Sequence, residues 1–290
     1  MVGAPAPAAQ NVQIPAAQTI DSSVPPDALA PASRTVVPPA AASSQTPTKP
    51  APKKPDSFPP QPYWIDPDRP HIADSSVNVA KGYYLQENGF QQTWPGSGGA
   101  FDIPETLMRL GVLSRTELRF NVPNYLLSRT EAAHVEGWGD IQAGFKHRLG
   151  PLFGDYQIAI NPYISIPTGA KRLSSKHVDP NVKMPWSKEL GHGWDIEGMQ
   201  SIFLPTIEGK RVMDWQTSVV FNHMWGRKTN AFIEYAGDVV SRHRNVQVIH
   251  FGAAYRPNRF NQIDTQFGFR MSNAAPVAFL GFGYSFLLGR

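Results

Sequence analysis

A chain of 290 residues without a single cysteine excludes a disulfide framework and any thiolate metal site. Its formal net charge of +4 and pI near 9.2 come without a dense basic patch, which gives nucleic-acid binding no support. No apolar stretch reaches the about 20 residues that a membrane-spanning helix requires.

About half of the 28 prolines lie before residue 63. Residues 1–60 are rich in Pro and Ala, nearly free of aromatics, and bury too little apolar surface to offset chain entropy. The expectation there is a disordered, partly polyproline-like tail. It carries Arg34, Lys49, Lys53 and Lys54 against Asp21, Asp27 and Asp56. The first residues show neither the basic nor the apolar region of a signal peptide, so the sequence is read as starting after a cleavage site. Residues 61–76 (QPYWIDPDRPHIADSS) read as a linker into a domain spanning 77–290.

That domain reads as roughly twelve strands, each near the length that a tilted strand needs to cross a bilayer. They are expected at 77–88, 100–112, 115–125, 138–148, 155–167, 182–190, 194–204, 213–225, 229–239, 246–256, 260–271 and 276–288. The clearest is NQIDTQFGFRM, where Ile263, Thr265, Phe267, Phe269 and Met271 alternate with Gln262, Asp264, Gln266, Gly268 and Arg270. A period of two sends successive side chains to opposite faces of a strand. The same rule turns Leu118, Phe120, Ile141, Phe145, Ile158, Val219, Phe221 and Ile233 to one side. To the other go Arg109, Glu117, Arg119, Asp140, Lys146, Glu234, Asp264 and Arg270, the candidates for lining a lumen. Tyr156, Trp215, Trp225, Tyr235, Tyr284 and Phe286 are the candidates for a lipid-facing aromatic belt.

Connections alternate in length. Short turns fall near 113–114, 150–154, 191–193, 226–228 and 257–259. Longer links, such as LLSRTEAAHVEG and TGAKRLSSKHVDPN, fall between them. Outer-membrane barrels have short periplasmic turns and long external loops. The fold class expected is therefore all-β, a transmembrane antiparallel up-and-down barrel of about twelve strands. A soluble β-sandwich also alternates, with its apolar face turned to a core.

Several blocks resemble the outer-membrane barrel family named after the meta-pathway of phenol degradation. They are RLGVLSRTELRFNV, GWGDIQAGFKHRL, YISIPTGAKRLSS, FIEYAGD, IHFGAAYR and QIDTQFGFRMSNAAPVAFLGFGYSF. The resemblance covers about residues 76–288. It implies an outer-membrane barrel of a Gram-negative bacterium that transports small, hydrophobic or aromatic molecules. It also implies contact with outer-membrane lipid, and recognition of the C-terminal strand by the barrel-assembly machinery. Members end in an aromatic residue, whereas this chain ends YSFLLGR, so that recognition rests on Tyr284 and Phe286.

The inward charges either line a selective path or pair with one another and fill a closed interior. No cofactor and no metal are expected. His177, His192, Asp179 and Asp195 match no known ligand spacing. The chain reads as a channel, not an enzyme. One alternative is an outer-membrane lipid hydrolase using His147, His223 or His250, although no G-x-S-x-G elbow occurs. The other is a structural barrel tethered to the cell wall through its tail.

Overall fold

The computed structural model describes residues 63–130, 134–240 and 245–289. The tail at 1–60, the middle of the link at 131–133 and the link at 241–244 lie outside the described residues. Among the described residues every regular element is a strand. In chain order these are β1 (Tyr84–Trp94), β2 (Gly99–Ile103), β3 (Leu107–Leu113), β4 (Thr116–Asn121), β5 (Tyr125–Arg129) and β6 (His134–Trp138). Then come β7 (Ile141–Leu152), β8 (Tyr156–Ile166), β9 (Asp179–Gly191), β10 (Trp194–Phe203), β11 (Thr206–Ile207) and β12 (Lys210–Arg211). The last five are β13 (Asp214–Trp225), β14 (Thr229–Val240), β15 (Val246–Asn258), β16 (Asn261–Arg270) and β17 (Ala278–Leu288).

Twelve of these form a closed antiparallel barrel in the order β1, β3, β4, β7, β8, β9, β10, β13, β14, β15, β16, β17. Closure comes from β1 pairing with β17 along its whole length, from Tyr84 opposite Leu288 to Trp94 opposite Ala278. Closure satisfies every strand edge, which is what lets a sheet cross lipid. The other strands decorate the long-loop end. β2, β5 and β6 extend the sheet beyond β1, and β11 and β12 form a small hairpin.

The polarity of this barrel is inverted relative to a soluble protein. On β16, Ile263 and Phe269 are 55% and 49% exposed, whereas Asp264 and Gln266 are 2% and 0% exposed. Trp215, Phe221, Phe267 and Phe282 also lie on the outside, while Arg109, Glu117, Lys146 and Glu234 are buried. An exterior of aromatic and branched residues around a charged interior suits a lipid surround and excludes the β-sandwich.

Two strand assignments from the sequence shift. The first strand was expected at 77–88, but the chain turns at Gly82 (φ 83°) and pairs only from Tyr84. Residues 77–83 carry the alternation because they pack inside the barrel, not because they belong to its wall. The second, expected at 100–112, is divided at Pro104, which offers no N–H to a ladder. Its first part, β2, pairs with the outer end of β1, and its second, β3, with the inner end.

Candidate functional site: a plugged lumen

The segment 63–83 occupies the interior of the barrel. It is anchored at the short-turn end, where the Ile65 amide donates to the Arg259 carbonyl at 2.9 Å. There Tyr63, Ile65, Val79 and Ala80 pack on Leu85 and Leu287 of the closing strands. Both ends of the segment share this foot, so it enters and returns on the same side. Its middle reaches the long-loop half, where Ile72 packs against Ala236, Val248 and Phe279. We call residues 63–83 the plug.

The wall of β3, β4, β7 and β9 meets the plug with cations. Arg109 and Arg119 stand directly opposite each other on β3 and β4. Such like-charge neighbours are unfavourable unless carboxylates lie between them. Glu117 provides one, accepting from Arg109 Nε at 2.8 Å and from Arg119 Nη1 at 2.9 Å. Asp68 of the plug provides the other. It accepts from Arg109 Nη1 at 3.0 Å and Lys146 Nζ at 3.2 Å, and closely from Arg119. Asp74 accepts from Lys183 Nζ at 3.2 Å and Asn161 Nδ2 at 2.8 Å, with Arg119 Nη2 3.5 Å away. Lys146 also donates to the plug carbonyls of Ser75 (2.6 Å) and Val77 (3.3 Å).

Carboxylates also grip the plug backbone, one from across the barrel and one from β1, the neighbour of β3. Glu234 on β14 accepts from the amides of Ile72 and Ala73, both at 2.9 Å, and pairs with His250 Nε2 at 2.6 Å. Glu87 accepts from the amides of Asp68 (3.1 Å) and Arg69 (3.0 Å). The Arg69 guanidinium pairs with Glu105, lies 3.5 Å from Asp264 and donates to the Phe282 carbonyl at 3.1 Å. Glycines of the wall make room for the plug. A Cβ at Gly89 would stand 2.3 Å from the Arg69 guanidinium, and one at Gly111 would stand 2.0 Å from the Ala80 carbonyl oxygen. Beside the plug, a polar cavity of about 80 Å³ lies among Asp66, His71, Asp195, Glu197, Asn222 and Arg256.

Of the candidates for lining the lumen, Arg109, Glu117, Arg119, Lys146, Glu234 and Asp264 converge on the plug. Asp140 is buried but serves an outer loop, accepting from the Gly169 amide at 2.7 Å. Arg270 keeps the inward parity yet is the last residue of β16 and is exposed at the rim. Of the belt candidates, Trp215, Trp225 and Tyr284 are exposed. Tyr156 is half-buried between Trp186 and Lys188, and Phe286 leans on Tyr284. Tyr235 sits at mid-strand opposite Val219 and Ile249, away from either end of β14.

Asn161, which the alternation turns inward, joins the site, and Asp68, Arg69, Asp74, Glu87, Lys183 and His250 complete it without having been read as lumen residues. The signal available was the charge density of WIDPDRPHIADSS, which is high for a linker with two isoleucines. Among the described residues no group of His, Asp and Glu is placed to hold a metal. Asp179 is tied to Arg211 at the long-loop end, whereas His192 lies in the opposite short turn. The histidines weighed for hydrolysis are engaged elsewhere. His147 meets Thr116, His223 packs between Trp194 and the edge-on Trp225, and His250 holds Glu234.

Comparison with known proteins bears on this arrangement. The sequence profile of the family described as "Putative MetA-pathway of phenol degradation" matches residues 67–288, from the plug to the last strand. The chain belongs to this family. No curated protein matches the chain. Among solved structures, the COG4313 outer membrane channel from Pseudomonas putida F1 superposes with a TM-score of 0.60 at 12% identity, covering 77% of this chain and 100% of that one. A KdgM porin in complex with disordered oligogalacturonate gives a TM-score of 0.47 at 6% identity, covering 70% of this chain and 98% of that one. The first likeness establishes the fold of this family member as that of an outer-membrane channel barrel.

Proposed function

We propose that this barrel is an outer-membrane channel for small molecules, closed at rest by its own residues 63–83. The observation that carries the reading is how the plug is held. Ion pairs and hydrogen bonds join it to a polar wall, and these are contacts that water can replace. Such a wall accepts water once the plug leaves, and an unwatered charged lumen without the plug is not tenable. The apolar exterior supports a lipid surround, and we assign recognition by the assembly machinery to Tyr284, which is exposed, and Phe286 on β17. Hydrophobic or aromatic solutes are the class that the family's description suggests. The role is passive passage without covalent chemistry, since the candidate histidines are taken up in structural contacts.

The test is planar-bilayer conductance of the refolded full chain, with folding verified by the heat-dependent gel shift of a closed barrel. Discrete steps that are rare in the native chain and frequent in Asp68→Asn support the reading. Folded protein that is silent in both contradicts it and favours an envelope-structural role.

A further inference from the structure

The plug offers the wall two carboxylates, and the wall holds each as a protein holds a carboxylate ligand. Asp68 sits on Arg109, Arg119 and Lys146, and Asp74 sits on Lys183, Asn161 and Arg119. Arg119 touches both, so the two positions are halves of one cradle. The buried Tyr163 ring closes its side, 5.7 Å from the Arg119 guanidinium and 5.6 Å from the Lys183 ammonium. An apolar face between cationic heads is what a carboxylate with an aromatic or aliphatic body requires.

Charge balance favours an exchange. The cations Arg109, Arg119, Lys146 and Lys183 are met by two wall carboxylates, Glu87 and Glu117, and by the two from the plug. Withdrawal of the plug strips away half of the countercharge. Water that enters solvates these cations, but their excess charge at close spacing favours another anion in the vacated positions. We infer that the Arg109–Arg119–Lys146–Lys183 cradle is a solute site for small carboxylates, with Asp68 and Asp74 as built-in competitors. This inference rests on the channel reading and names its solute class. A carboxylate that occupies the cradle stabilises the withdrawn plug by its preference for that state, so binding and opening are reciprocally coupled.

The experiment is isothermal titration of sodium benzoate into the full chain in detergent, with benzyl alcohol as the uncharged control and sodium sulfate as the inorganic one. The protein is native or carries Asp68→Asn/Asp74→Asn, which removes the competitors and keeps the wall. The expected result is benzoate binding at least tenfold tighter in the double variant than in the native chain, and at least tenfold tighter than benzyl alcohol. Adding Lys183→Gln should reverse most of the gain. Benzoate that binds both proteins alike, or no better than benzyl alcohol or sulfate, overturns the assignment. Should the double variant lack the gel shift of a closed barrel, Asp74→Asn alone leaves Asp68 on its three cations and is held to a threefold gain. Calorimetry needs no current. A barrel that binds benzoate but never conducts therefore contradicts the channel reading alone, and one that conducts without preferring benzoate contradicts this inference alone.

Discussion

Lys146 and Asp68, 78 positions apart in the sequence, meet at 3.2 Å inside the barrel. The contact ties a wall strand to the plug, and both partners are buried. Lys146→Met removes the ammonium from Asp68 and from the Ser75 and Val77 carbonyls together. Breaking one partner of a buried pair costs about 3–5 kcal/mol. The wall keeps its strand ladder, so the loss falls on the docking of the plug. Because the chain has no cysteine, Ser76→Cys gives a single thiol at a position that is 2% exposed. A membrane-impermeant maleimide should label it slowly in the native background and at least tenfold faster with Lys146→Met. The barrel's gel shift should persist.

Glu234 acts on the other side of the plug. Glu234→Gln keeps one acceptor oxygen for two amides and drops the pairing with His250. Charge-assisted bonds of this kind contribute about 1.5–3 kcal/mol each. The same Ser76→Cys label should react several-fold faster, a smaller rise than for Lys146→Met because the cradle stays intact. An unchanged rate would show that the Ile72–Ala73 contact does not hold the plug.

Gly111→Ala separates steric from electrostatic docking. The new methyl meets the Ala80 carbonyl, so the returning limb of the plug must move although every charge remains. Faster labelling at Ser76→Cys with unaltered β3–β4 pairing, followed by hydrogen exchange, is the expected outcome.

Acid should open the channel. Burial alone would raise the Asp68 carboxyl, but Arg109, Arg119 and Lys146 hold it well below the usual carboxylate range. Burial also opposes ionisation of Asp74, yet Lys183, with Arg119 and Lys146, lowers it in spite of the neighbouring Asp68. A carboxylate held lower in the docked plug than in free chain contributes stability above its free value near about 4, and loses it as pH falls through the docked value. Open time in a bilayer should therefore be level from about pH 8 to pH 5 on account of these groups, and rise below about pH 4.

The wall was legible in the sequence because each strand repeats one local rule. Ile263 and Asp264 must face opposite ways wherever the strand lies, and the alternation of short and long links sets the order. The plug was not legible because its partners are distant. Nothing near Asp68 shows that Arg109, Arg119 and Lys146 will surround it, and the Pro67 and Pro70 that flank it read equally well as a linker. Residues 77–83 misled for a related reason. Val79 alternates like a strand residue, but it is buried against Tyr63 and its amide donates to Glu117 inside the barrel. Arg270 had the right parity and the wrong height, since alternation fixes the face of a residue and not its depth.

The most direct test of the plugged-channel account is a reversible lock between plug and wall. The Ser76 and Ser187 hydroxyls lie 2.7 Å apart, so Ser76→Cys/Ser187→Cys can join the plug to β9 without displacing either backbone far. Conductance of the double-cysteine barrel is recorded oxidised and then reduced in the same bilayer, with the crosslink verified by mass. The account predicts silence while the disulfide stands and discrete steps once it is reduced. Equal conductance in both states would contradict it, because current would then pass a barrel whose plug cannot leave.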